Sequence, residues 1–115
     1  MISLEEKKLF KDIEIAILSI HDHLNHTFDF NLYQQNKTIR RAVERELEII
    51  GEAINNLLKI KTELKISYAR QIVDLRNKVI HAYDNVNNII IWKIVTKDLP
   101  VLLSEVNTYL NSDHD

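Results

Sequence analysis

TIRRAVERELEIIGEAINNLL, residues 38–58, carries apolar side chains at Val43, Leu47, Ile50, Ile54 and Leu57 or Leu58. Steps of three and four residues place them in one stripe, and the spacing predicts an amphipathic helix over about Thr38–Leu58. Gly51 sits in its middle, where it costs about 1 kcal/mol relative to alanine. A glycine kept there lets another helix approach closely, so a packing role is expected for it. Working outward, Phe10, Ile13, Ile17, Ile20 and Leu24 repeat the same spacing. Ser3-Leu-Glu-Glu6 reads as a capping box that starts this first helix. Residues His26–Asn36 lose the period and are expected to be a connection.

On the other side, a third helix is predicted from roughly Ser67, with Ile72, Leu75 and Val79 inward. It runs through Arg76–Tyr83 to a stop at Asp84-Asn85. A fourth helix is predicted over about Val86–Lys97. Pro100 belongs either to a kink or to the first turn of a fifth helix capped by Asp98, whose buried stripe is Leu103, Val106 and Leu110. The tail, Ser112–Asp115, is expected to fray. One glycine and one proline in 115 residues argue against a turn-rich β fold. The expected fold class is therefore all-α, an up-down helical bundle of four to five helices in a single domain over residues 1–115.

With no cysteine, the chain can form neither disulfides nor thiolate metal sites, and cysteine nucleophile chemistry is excluded. The N-terminal residues MISLEEKKLFKDIE carry charge where a signal peptide needs an apolar stretch, and the longest apolar run, around Val86–Trp92, is broken by asparagines. A soluble cytoplasmic protein without a membrane segment is expected. The net charge is −2, yet residues 36–78 hold 10 Lys/Arg against 6 Asp/Glu. Such a middle could attract phosphate, although intrahelical ion pairs on solvated faces explain it as well.

Three groups of residues could carry chemistry. His21, His23 and His26 lie close in sequence, but only His23 and His26 share a helical face. No carboxylate or cysteine pattern completes a metal set, so surface histidines are expected and no metal site. Glu44, Glu48 and Glu52 share a face, with Arg41 and Arg45 near enough to pair with them; a salt-bridged face is expected for Glu44. The third group is Leu75-Arg-Asn-Lys-Val-Ile-His-Ala-Tyr83. On an ideal helix Arg76 and Tyr83 fall on nearly the same side, and Asn77 and His81 neighbour each other beside them. A guanidinium that grips phosphate oxygens and an imidazole that titrates near neutrality suit phosphodiester chemistry. The same residues at a helix end can also merely satisfy each other and the last carbonyls.

The string Arg76-x4-His81-x-Tyr83 resembles the R-x4-H-x-Y motif of HepT-like HEPN ribonucleases. Upstream, Ala42-Val43-x-Arg45-x-Leu47-Glu48-Ile49-Ile50-Gly51-Glu52-Ala53 resembles the family's second-helix block. Downstream, Ile91-Trp92-Lys93-Ile94-Val95-Thr96-Lys97-Asp98-Leu99-Pro100 is similar to its fourth-helix block. Two features depart from the pattern: Asp84-Asn85 stands where an aromatic residue and glycine are common, and Lys65-Ile-Ser-Tyr68 lacks the usual proline.

The resemblance implies a homodimeric toxin that cleaves RNA without metal or other cofactor, with Arg76 and His81 of both subunits facing one cleft. Arg76 would hold the scissile phosphate, His81 would act as general base or acid, and Asn77 would help to orient one of them. Glu48 or Glu52 would support the pair. The implied partner is an MntA-like nucleotidyltransferase antitoxin that AMPylates Tyr83, within a dimer or a larger assembly. The alternative is a non-catalytic HEPN module that binds RNA or nucleotide, or bridges to a nucleotidyltransferase, with the motif as a structural element.

Overall fold

The computed structural model describes residues 2–61, 63–80 and 88–112. Among these residues the chain forms helices and turns and no strand: α1 (Leu4–His23), a short α2 (Phe30–Gln35), α3 (Lys37–Ile60), α4 (Ala69–Ile80), α5 (Asn88–Lys93), a π turn (Ile94–Asp98) and α6 (Leu99–Ser112). The all-α bundle read from the sequence is what forms.

Local chemistry sets the helix starts. The Ser3 hydroxyl accepts from the Glu6 N–H at 3.0 Å, and the Glu6 carboxylate accepts from the Ser3 N–H at 3.3 Å, which closes the capping box. Asn36 caps α3 by accepting from the Ile39 N–H at 3.0 Å. The helix expected over residues 38–58 extends slightly at both ends.

Contacts at the helix ends fix the topology. Lys61, just after α3, pairs with Glu6 at the start of α1 at 3.2 Å, and His23 at the end of α1 lies 3.7 Å from Glu46 in α3. These two helices are therefore antiparallel. Tyr109 near the end of α6 stacks on Phe10 of α1 with ring centroids 4.5 Å apart. Its hydroxyl accepts from the Lys65 N–H at 2.8 Å, while the Glu105 carboxylate accepts from the N–H and hydroxyl of Ser67 just before α4. The starts of α1 and α4 thus meet the ends of α3 and α6 at one end of an up-down-up-down bundle. The apolar stripes of these helices bury into one core, with Ile17, Leu47, Ile50, Ile54, Ile72 and Val106 all at most 1% exposed. Leu57 rather than Leu58 completes the α3 stripe. In α6, Leu99 and Leu102 are buried and Leu103 is half-buried.

Two expectations need correction. Residues 26–36 are not all connection, because Asp29 caps a six-residue helix by accepting from the N–H groups of Asn31 and Leu32. This helix turns Tyr33 into the core, against Trp92 at 5.2 Å between centroids. The second concerns Pro100, which does lie in the first turn of α6, but Asp98 does not cap that helix. The backbone stays helical through a π turn, in which the Leu99 N–H reaches back to the Ile94 carbonyl. Asp98 is buried within it, 4.0 Å from Lys93. The wider turn accommodates a proline that has no N–H to donate and whose ring would otherwise press on the preceding turn. The stop at Asp84-Asn85, the start at Val86, the side chain of Val79 and the tail beyond Ser112 lie outside the described residues. Among the described residues no helix is long and apolar enough to cross a membrane.

The Tyr33 hydroxyl is buried with no hydrogen-bond partner among the described residues. Its burial, with a smaller contribution from the Glu44 carboxylate that outweighs Arg40, pushes the phenol's pKa well above its ordinary 10.0. Tyr33→Phe removes an unsatisfied polar atom and should stabilise the fold by about 1 kcal/mol in denaturant titration. The pH dependence has a definite sign. The unfolded chain ionises this phenol above pH 10.0 whereas the folded chain resists doing so, so stability falls as pH rises past that value. Tyr33→Phe should flatten this alkaline loss; an unchanged slope would show that other groups cause it.

Candidate active site

Arg76 and Asn77 lie in the second half of α4, which packs antiparallel on α3. At their crossing α3 presents Gly51. A Cβ there would stand 2.3 Å from the Arg76 Cβ, 2.7 Å from its Cγ and 3.4 Å from the Ile72 carbonyl oxygen. The close approach expected of this glycine is therefore real, and the group that comes close is the stem of Arg76.

From that seat the guanidinium runs out between two polar side chains. Its Nη1 donates to the Asn77 Oδ1 at 3.0 Å, and its Nη2 lies 4.0 Å from the Glu52 carboxylate. Nε is buried and has no partner among the described residues. The side chain is 22% exposed, against 65% for Glu52. The stem and Nε are thus enclosed while the tip can be reached from solvent. An ion pair at 4.0 Å to an exposed carboxylate holds the tip only weakly. A phosphate presenting two oxygens could displace it and take up the forked donors.

His81 and Tyr83 lie outside the described residues. Of the sequence-derived set, Arg76 and Asn77 are brought together by a hydrogen bond, and of the two glutamates considered as supports Glu52 is the one beside Arg76. Glu48 pairs instead with Arg45 at 3.2 Å, and Glu44 with Arg41 at 2.8 Å, as the salt-bridged face required. Of the ten basic residues in the middle, Arg41 and Arg45 are tied up in intrahelical pairs, while Lys61 and Arg76 face carboxylates of other helices.

The histidine cluster does not converge. His23 faces Glu46, His26 pairs with Asp22 at 3.1 Å, and His21 meets the Phe28 ring edge-on at 5.8 Å between centroids. Among the described residues no group of three or more histidine, aspartate or glutamate side chains could hold a metal ion. What sequence reasoning missed is the pairing of Gly51 with Arg76. A signal for it existed: the two residues stand about equally far from the turn between α3 and α4.

The family model for HepT-like ribonucleases matches residues 13–109. The chain belongs to this family. A candidate RNase of Methanocaldococcus jannaschii is 44% identical over 81 residues, covering 68% of this chain and 72% of that protein. A candidate RNase of Caldanaerobacter subterraneus is 37% identical, covering 73% of this chain and 76% of the relative. A Thermococcus cleftensis protein named "Probable ribonuclease HepT" is 35% identical over 97 residues, 84% of this chain and 87% of its own. No solved structure matches the chain. The matched region includes α3 and α4, so Gly51, Glu52, Arg76 and Asn77 all fall within the family domain.

Proposed function

We propose that this ribonuclease-family chain is a metal-independent endoribonuclease and the toxin of a toxin–antitoxin pair. Arg76 grips the scissile phosphate and offsets the charge that builds up in the transition state. His81 removes the proton of the ribose 2′-hydroxyl or protonates the leaving 5′-oxygen. The 2′-oxygen, its proton lost to His81 or to water, bonds to phosphorus as the 5′-oxygen leaves with a proton from water or from His81, giving a 2′,3′-cyclic phosphate and a free 5′-hydroxyl. Asn77 holds the guanidinium through the bond at 3.0 Å. In this reading a homodimer in the cytoplasm brings two such sets to one cleft.

The observation that carries the proposal is the seating of Arg76, with its stem enclosed over Gly51 and its tip open to a phosphate. Membership of the family supports RNA as the substrate.

An MntA-like nucleotidyltransferase antitoxin is the proposed partner, with Tyr83 as the side chain it modifies. AMP on Tyr83 adds negative charge and bulk to the segment that carries His81, which repels an incoming RNA phosphate. Co-production with the antitoxin should add one AMP to the Tyr83 peptide by mass spectrometry and silence cleavage. Tyr83→Phe should stay active and toxic beside the antitoxin. Equal silencing of Tyr83→Phe would remove Tyr83 from this role. RNA binding by unmodified protein without any product would favour the non-catalytic module instead.

A further inference from the structure

We propose that Gly51 is a positioning residue for Arg76: its missing Cβ is the seat that aims the guanidinium. The space an alanine would fill is taken by the Arg76 Cβ and Cγ, while the nearest backbone atom, the Ile72 carbonyl oxygen, stays at an ordinary contact distance of 3.4 Å. Here the occupant is the stem of a charged residue, whose aliphatic part is buried so that its head is delivered at one place. Three contacts then fix the side chain along its length. Gly51 seats the stem, the enclosure around Nε keeps water from that nitrogen, and Asn77 holds Nη1 at 3.0 Å.

The catalytic readout of this inference rests on the ribonuclease reading, but the seat can be tested without it. A Cβ at position 51 obliges α4 to retreat by more than about 1 Å to regain normal carbon–carbon contact, because the Arg76 Cβ is fixed to its backbone and no rotamer moves it. A displacement of that size at a phosphate-gripping group costs on the order of a hundredfold in rate.

The test compares wild type with Gly51→Ala by NMR of the arginine Nε–H groups, by affinity for a 2′-O-methyl oligoribonucleotide that cannot be cleaved, and by RNA cleavage. Arg76→Lys assigns its signal among the five arginines of the chain. In the wild type the Arg76 Nε–H is expected to exchange with water more slowly than the other four. In Gly51→Ala it should shift and exchange faster, and both affinity and kcat should fall. In an Arg76→Gly background, which lacks both of the facing carbons, adding Gly51→Ala should lower affinity no further.

An unmoved Arg76 signal would overturn the inference, as would an equal loss of affinity in both backgrounds. Unchanged affinity and cleavage in Gly51→Ala, or a wild type that neither binds nor cleaves, would overturn it too. A wild type that binds without cleaving, and loses that binding in Gly51→Ala, would uphold the seat while ending the ribonuclease reading. Should Gly51→Ala not fold, adding Arg76→Gly removes both clashing carbons and is expected to restore folding. Failure to restore it would overturn the inference.

Discussion

Arg76→Ala is expected to lower kcat for RNA cleavage by a factor on the order of 10²–10³ while leaving the thermal unfolding midpoint close to that of the wild type. The kinetic loss follows from removing the donor fork that strengthens as charge gathers on the phosphate oxygens. The fold should tolerate the change because the ties lost are weak ones: a contact at 4.0 Å to an exposed carboxylate and a bond to the neighbouring amide. Truncation also removes a buried Nε that has no partner among the described residues, which offsets part of the lost stem packing. Arg76→Lys should recover only a fraction of the rate, since an ammonium offers a point charge without the planar fork. Full activity in folded Arg76→Ala would remove Arg76 from the chemistry.

The largest loss of stability is expected from the core. Phe10 is fully buried on α1 and stacks on Tyr109 of α6 at 4.5 Å with planes 13° apart. Tyr109 in turn accepts from the Lys65 N–H and lies under the Lys61 ammonium, 5.6 Å from the ring centroid. Phe10→Ala therefore opens a cavity and also frees the ring that ties the α3–α4 turn to α6. It should cost about 3–5 kcal/mol in denaturant titration. For a chain of this size that lowers the melting point by roughly 10–20 °C. Phe28→Ala is the matching control: this ring is 54% exposed and meets Trp92 only edge-on at 6.2 Å, so its loss should be much smaller. Equal losses from the two variants would show that the core is not centred where Phe10 lies.

The long helices were legible because each repeats its apolar spacing over several turns. Phe10 to Ile20, Val43 to Leu57 and Ile72 to Leu75 all bury as that spacing requires. The short α2 was not legible, since six residues are too few to show a period and Tyr33 is its only buried side chain. Pro100 left two readings open, and the π turn that resolves them depends on packing that residue spacing does not express. Of the candidate site, Arg76 and Asn77 were singled out by helical spacing and side-chain chemistry, were given roles by the family resemblance, and are joined by a hydrogen bond. The choice between Glu48 and Glu52 was not readable, because both lie on one face of α3 and only the register of α4 distinguishes them. Gly51 announced a close approach, but the same register was needed to name Arg76 as what approaches.

The most direct test is cleavage of single-stranded RNA by purified, chelator-treated, unmodified protein, comparing wild type with His81→Ala. Wild type should cleave in the presence of chelator and leave 2′,3′-cyclic phosphate ends, while folded His81→Ala should lose a factor on the order of 10²–10⁴. No cleavage by wild type whose mass shows a bare Tyr83, or equal cleavage by the two proteins, would contradict a ribonuclease that works through Arg76 and His81.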